Sequence, residues 1–259
     1  MIIDNSEIIE NNEIAEGIWK MVFKSVEITN RYLGAGQFVS VLANDNWEHP
    51  IRRPMSIAEV NDDEVSIIYK VFGSVTQSLA DLKSNDYIDV LGPIGNNFNV
   101  KYETFYPILI GGGIGLSPIL NLSKYLKQKD IEATTIIGAK TANEHFLQHN
   151  PKKNIFLCTD DGTEGIKGTV IDALNIVLGN IDNPKIFACG PEPMLHSIQK
   201  MLEKKSIPAQ FSVESYMACG VGICQGCAIP KKQNDGYFLI CKDGPVFEAN
   251  EVRFDWSNL

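Results

Sequence analysis

The chain has 259 residues, 44% of them hydrophobic, enough to bury a substantial core and a prior for two domains rather than one. Its formal net charge of −9, with no visible basic patch, argues against a nucleic-acid partner, because phosphate binding is driven by clustered Lys and Arg. The first residues show no basic segment followed by an apolar run, and no stretch approaches the ~18 apolar residues of a membrane span, so a cytoplasmic protein without membrane contact is expected.

From residue 1 to 101 the pattern is short, β-branched and alternating, with strands predicted over 19–24, 37–42, 64–69 and 86–91. Short strands at this spacing, punctuated by Gly, Asn and Asp, predict a small antiparallel β-barrel. Within it, Arg52 and Arg53 adjoin apolar strand residues in an acidic chain. Arg53 suits bidentate phosphate binding and Ser56 a hydrogen bond to a flavin edge; the plain alternative is an arginine on a solvated strand face.

The rhythm changes near residue 105. Strands are predicted over 107–110, 133–137, 154–158 and 185–189, with helices over 118–128, 169–177 and 192–204. Strand and helix alternating at these lengths predict a doubly wound parallel sheet over 102–213. Gly111-Gly112-Gly113-Ile114-Gly115-Leu116-Ser117-Pro118 follows a strand and opens a helix, the context in which backbone N–H groups approach a pyrophosphate. From Gly113 it reads G-x-G-x-x-P rather than G-x-G-x-x-G, and ordinary strand-to-helix turns also use glycine. Cys189-Gly190-Pro191 ends a second strand where open α/β sheets place ligands, which would set Cys189 beside a nicotinamide. The alternative is a small buried residue closing a strand. Asp160 and Asp161 end a third strand; there they would favour ribose hydroxyls and NAD over NADP, or simply form a solvated Asp-Gly turn.

Residues 214–259 dissolve into Gly and Cys, too short for an independent domain, and predict a cluster-bearing module docked on the α/β sheet with metal substituting for a core of its own. Cys219, Cys224, Cys227 and Cys241 are spaced C-x4-C-x2-C-x13-C, the tight-then-distant spacing that supplies four thiolates to a 2Fe-2S cluster. Gly220, Gly222 and Gly226 are expected to supply positive φ and close backbone approach. A zinc site is the alternative, although zinc more often takes two paired C-x2-C knuckles. Cys158 lies outside the pattern, and the four histidines form no ligand-spaced cluster.

Together these motifs resemble the ferredoxin reductase superfamily. Arg53-Pro54-Met55-Ser56 matches its FAD motif R-x-Y-S, Gly113 to Pro118 its pyridine-nucleotide loop and Cys189-Gly190-Pro191 its nicotinamide-side motif, all in the right order. With the C-terminal cysteines, and with the stretches 92–96, 214–220 and 241–247, the chain is similar in particular to the electron transfer subunits of dihydroorotate dehydrogenase B. The resemblance implies an FAD-binding barrel, an NAD-binding α/β domain and a 2Fe-2S module. It places FAD contacts on Arg53, Pro54, Met55, Ser56, Ile68, Tyr69, Lys70, Val75 and Thr76, and NAD contacts on Gly112, Gly113, Gly115, Pro118, Asp160, Asp161, Gly190 and Pro191, with Cys189 positioning the nicotinamide. Met55 stands where the motif has Tyr, and Val75 where related chains have Gly. The resemblance also implies an FMN-containing dihydroorotate dehydrogenase catalytic subunit as partner, in a heterotetramer of two of each, passing electrons to NAD⁺ in pyrimidine synthesis. The same architecture can run outward, as an NAD(P)H-oxidising subunit for ferredoxin, sulfur or hydrogenase partners.

Overall fold

A computed structural model describes residues 1–42, 49–100, 105–179 and 181–254; the boundary expected at 101/102 and the last five residues lie outside these. Six strands close an antiparallel barrel in the order β1-β2-β5-β4-β3-β6: β1 (Ile2–Ala15), β2 (Ile18–Lys24), β3 (Phe38–Leu42), β4 (Arg53–Asn61), β5 (Glu64–Lys70) and β6 (Tyr87–Ile94). Helix α1 (Val26–Thr29) follows β2 and α2 (Ser74–Asp81) follows β5. Inward positions such as Met21, Phe23, Val39, Ile57, Ile67 and Val90 are almost fully buried. Burying each such side chain contributes roughly 1.5–3 kcal/mol.

The predicted strands all form, and the barrel adds two more, β4 and the less legible β1. Its Glu- and Asn-rich sequence buries little besides Ser6 and Ile8, and bulges interrupt its register, so the period-2 signal is weak. Its main chain nevertheless pairs with both β2 and β6, which closes the barrel. Ladder hydrogen bonds are indifferent to side-chain polarity, and that is why composition concealed this strand.

The second unit is a sheet in the order β10-β9-β8-β7-β11-β12-β15. Its parallel strands are β7 (Tyr106–Gly112), β8 (Thr134–Ala139), β9 (Ile155–Thr159), β10 (Ile166–Lys167), β11 (Pro184–Cys189) and β12 (Ala209–Ser212), with helices α3 (Leu116–Gln128), α4 (Val170–Leu178) and α5 (Glu192–Lys205). Helix α3 begins two residues before Pro118, so the proline lies in the first turn, where its missing N–H breaks no hydrogen bond. Thr169 caps α4 in a box with Asp172, whose carboxylate accepts from the Thr169 N–H at 2.7 Å. None of the helices among the described residues is long and apolar enough to cross a membrane.

The C-terminal segment contributes β13 (Ala228–Pro230), β14 (Tyr237–Leu239), α6 (Ile240–Asp243) and β15 (Val246–Glu248). Strand β15 joins the large sheet antiparallel to β12, pairing Phe211 with Phe247. The segment also shares a core: Cys227, Ile229, Ile240, Cys241 and Phe247 pack in one cluster with Phe38 and Ile94 of the barrel and Phe211 of the sheet. Asn96, just past β6, clamps it, donating to the Val246 carbonyl at 2.8 Å and accepting from the Val246 N–H at 2.9 Å. The module therefore docks on the barrel as well as the sheet, and it uses their apolar surface as its core.

Candidate functional site

Three sets of residues converge around the junction of barrel and sheet. The first lies in the barrel wall. Strand β4 pairs with β5 only from Ile57 onward, whereas Arg53, Pro54, Met55 and Ser56 pair with β3 alone; Ile68, Tyr69 and Lys70 pair with β2 alone. The β4–β5 ladder thus stops at Ile57–Ile67, and the residues expected to meet FAD are the two lips beyond that point. Arg52 is held by Asp89 at 2.6 Å, leaving Arg53, whose guanidinium donates to the Ile51 carbonyl at 2.9 Å and forms no ion pair among the described residues. Strand β5 leads into α2, where the Thr76 hydroxyl accepts from the Phe72 and Gly73 N–H groups at 3.1 and 3.2 Å and orients the turn. An arginine on one lip and a helix N-terminus following the other are each suited to a pyrophosphate. Tyr69 faces the barrel interior with its hydroxyl on Asn11 at 2.9 Å, so only its main chain borders the opening. Lys70 reaches across to Glu144 at 2.5 Å, a bond that ties barrel to sheet and holds the Glu144 carboxyl below its ordinary value.

The second set lies at the switch point of the sheet. Strand β7 has β8 on one side and β11 on the other, the crevice where open α/β sheets bind ligands at strand C-termini. There the two glycine motifs touch backbone to backbone. A Cβ placed on Gly115 would lie 2.5 Å from the Cys189 carbonyl and from the Gly190 nitrogen. A Cβ on Gly190 would lie 3.1 Å from the Gly112 carbonyl oxygen. Only glycine permits this approach, and the turn it forms opens α3, the kind of helix start that can receive an anion. Asp160 is exposed at the end of β9, while the Asp161 carboxylate accepts from the Thr163 N–H and hydroxyl at 3.0 and 2.6 Å, the turn-forming role open to an Asp at that position.

One residue of this set was not assigned from sequence. Cys189 is fully buried, and its thiol lies 3.8 Å from Glu214 Oε1. Burial pushes the Cys189 thiol well above its ordinary value, with the Glu214 charge adding to the shift. Glu214 opens to solvent along its residue surface, yet protein packs around its carboxyl closely enough to raise it. The two are 25 positions apart, and parallel pairing of Cys189 with Ser212 is what brings them together.

The third set is the cysteine loop, and main-chain N–H groups donate to all four of its sulfurs. Cys219 Sγ accepts from Val221 and Cys224, each at 3.4 Å, and Cys241 Sγ from Gly222 at 3.1 Å. Cys224 and Cys227 accept from Gly226 and Cys241 respectively, each at 3.5 Å. These amides, Cys224 first, lower the Cys219 thiol to about 6, whereas burial raises Cys241 to about 12. Cys227 and Cys241 lie 3.3 Å apart. Four cysteines at this spacing, each sulfur accepting from a main-chain N–H, suit an iron–sulfur centre. Gly220 and Gly222 have φ of +67° and +80°; the further left-handed turn falls on Gln225 rather than Gly226. The Tyr237 hydroxyl anchors the Gln225 side chain at 3.0 Å, and the Gly226 N–H donates to Cys224 Sγ.

The cysteine loop and the barrel opening are neighbours. A Cβ on Gly220 would meet Ile94 at 3.5 Å and Ser40 Oγ at 4.0 Å, and Ser40 is the ladder partner of Pro54. A single strand, β3, separates the loop from the Arg53–Ser56 lip, a spacing of ~4.8 Å between adjacent strands.

An antiparallel barrel split beside a switch-point crevice, with a thiolate loop one strand away, defines a flavin- and nicotinamide-linked reductase that carries an iron–sulfur module. A solved NADH-dependent reduced ferredoxin-NADP oxidoreductase has the same fold, with a TM-score of 0.84 at 26% identity over 96% of this chain and 90% of that one. Residues 214–253 match the model of the iron-sulfur cluster binding domain of dihydroorotate dehydrogenase B. The electron transfer subunit of dihydroorotate dehydrogenase B (NAD(+)) from Fusobacterium nucleatum subsp. nucleatum is 35% identical over 98% of this chain and 100% of its own length. That of Bacillus velezensis is 38% identical over 93% and 95%. The chain belongs to the family of dihydroorotate dehydrogenase B electron transfer subunits.

Proposed function

We propose that this chain takes single electrons from an FMN-containing dihydroorotate dehydrogenase catalytic subunit and delivers them in pairs to NAD⁺, as a step of pyrimidine (UMP) biosynthesis. The observation that carries this reading is the convergence of cysteine loop, barrel split and glycine crevice at one junction. When bound, an iron–sulfur cluster supplies one-electron chemistry and FAD joins it to a two-electron acceptor. Three units follow, an FAD-binding barrel over 1–101, an NAD-binding sheet over 102–213 and a 2Fe-2S module over 214–259.

In this reading Cys219, Cys224, Cys227 and Cys241 ligate the cluster, and the N–H groups of Val221, Gly222 and Gly226 offset its negative charge. Arg53 and the first turn of α2, with Val75 and Thr76, hold the FAD pyrophosphate, while Met55, Ser56 and the main chain of Ile68 to Lys70 border its ring. Gly112, Gly113, Gly115 and Pro118 shape the nucleotide loop, with Gly190 and Pro191 opposite and Asp160 nearest the ribose. Cys189 keeps its proton and sets the depth of the crevice. No side chain has to act as a strong acid or base.

Tyr216 precedes the cysteine loop and Ile223 lies within it; they are 94% and 80% exposed. Exposed apolar side chains beside an electron port suit a docking face for the catalytic subunit, in a heterotetramer of two of each chain. The test is a pull-down with that subunit followed by a dihydroorotate:NAD⁺ assay; a chain that neither binds it nor supports NAD⁺ reduction overturns the proposal. The likeness to a reduced ferredoxin-NADP oxidoreductase favours a second reading, oxidation of a reduced nicotinamide nucleotide for a ferredoxin-type partner. Co-purification with such a partner instead of the FMN subunit would select it.

A further inference from the structure

The split between β4 and β5 is bridged by a helix of the other unit. Ile57 on β4 belongs to the last ladder pair and Ile68 on β5 is the first residue past it, and both carbonyls accept from side chains of α3. Asn121 Nδ2 donates to the Ile57 carbonyl at 2.9 Å, and Ser117 Oγ donates to the Ile68 carbonyl at 3.2 Å. Ser117 is fully buried and Asn121 is 8% exposed. Spaced i, i+4 and i+7, Ser117, Asn121 and Lys124 form one helical stripe, and Lys124 continues it onto Glu59 and Asn61. Leu120 packs in the same interface against Ile18, Ala58 and Ile68. Polar side chains buried at such a junction cost stability unless their bonds are made, and apolar ones would fill the space as well. What Ser117 and Asn121 add is direction: each fixes one carbonyl, one on either side of the gap.

We propose that Ser117 and Asn121 are positioning residues for the flavin, holding the two lips of the barrel at the separation the ring requires. The inference rests on the reading of the split as the FAD site. It also makes the helix that opens at the nucleotide loop the same element that sets the flavin slot.

The experiment uses the full-length chain stripped of flavin and re-titrated with FAD. Asn121→Leu, which keeps bulk and removes the donor, should raise the FAD dissociation constant at least about five-fold, the equivalent of one lost hydrogen bond. It should also speed amide exchange at 56–58 and 67–69 in the flavin-free chain and alter the visible circular dichroism of the bound flavin, with cluster iron unchanged. Ser117→Ala, a smaller deletion, should move the same three readouts in the same direction and serves if Asn121→Leu does not fold. Lys124→Met loosens the same helix outside the split and should leave FAD affinity within about two-fold. Equal weakening by Lys124→Met and Asn121→Leu would mean general loosening of the interface and would overturn the proposal. Arg53→Ala runs in parallel, expected to weaken FAD through loss of a charged hydrogen bond. If it does so while Asn121→Leu and Ser117→Ala do not, the positioning role is wrong; if none of them does, the site itself is wrong.

Discussion

Gly115→Ala tests the nucleotide crevice at its tightest point. The added methyl would sit 2.5 Å from the carbonyl carbon and oxygen of Cys189 and from the nitrogen of Gly190, against the 3.4 Å at which ordinary contact begins. All three atoms are main chain, so no side chain can turn aside, and the loop must move by about 0.9 Å relative to the end of β11. Gly115 has φ of −64°, an angle any residue adopts, so the effect is steric and not conformational. Overpacking of this kind costs about 1–3 kcal/mol, and restoring the binding geometry against it weakens nucleotide affinity by about five-fold to 150-fold. Gly112→Ala is the internal comparison: its methyl would meet the Met194 sulfur at 2.5 Å, the yielding end of a flexible side chain, so its effect should be smaller. The assay is NADH titration of flavin-loaded protein, with flavin and iron contents measured alongside. Unchanged NADH affinity in Gly115→Ala, or a larger loss in Gly112→Ala, would refute the reasoning that these two motifs form one site.

Cys224→Ser should abolish cluster iron while leaving FAD bound, because Cys224 is exposed and removing its sulfur disturbs little packing; full iron retention by elemental analysis would exclude it as a ligand. Replacing Tyr216 and Ile223 together with Ser should leave the thermal midpoint unchanged and weaken binding of the catalytic subunit about ten-fold or more, and equal binding by both proteins would remove this surface from the docking face. Glu144 is held below its ordinary 4.5 chiefly by the hydrogen bond from Lys70, so its contribution is present above pH 4.5 and fades as the pH falls through the lower folded value. Glu144→Gln should therefore cost about 0.2–1 kcal/mol at pH 7, and the gap from the parent protein in thermal midpoint should narrow in acid; a gap that stays constant with pH would discount the ion pair.

Most of the architecture was legible because its signals are local. Four of the six barrel strands, the alternation in the sheet and the cysteine spacing each depend on residues close in sequence. Strand β1 escaped because pairing on both sides, not apolar alternation, holds it in place. The positive φ expected at Gly226 fell on Gln225 because a side-chain anchor from Tyr237 sustains the turn there. Asp161 reads as a ribose ligand or as a turn former from its neighbours alone; its bonds to Thr163 shape the turn, and the residue stays exposed.

The sequence by itself determined which chemistry this protein carries: four thiols at a cluster spacing, glycines at two strand-to-helix turns, and adjacent arginines among apolar strand residues. Each of those is a property of a short segment, set by residue type and spacing. Only the tertiary structure decided how the segments act on one another. It set Glu214 beside Cys189, opened the barrel wall at Arg53–Ser56, buried Ser117 and Asn121 of α3 against the two sides of that opening and placed the cysteine loop one strand away. These relations join residues 25 to 180 positions apart, and strand order and interface packing create them, so no local pattern in the chain encodes them.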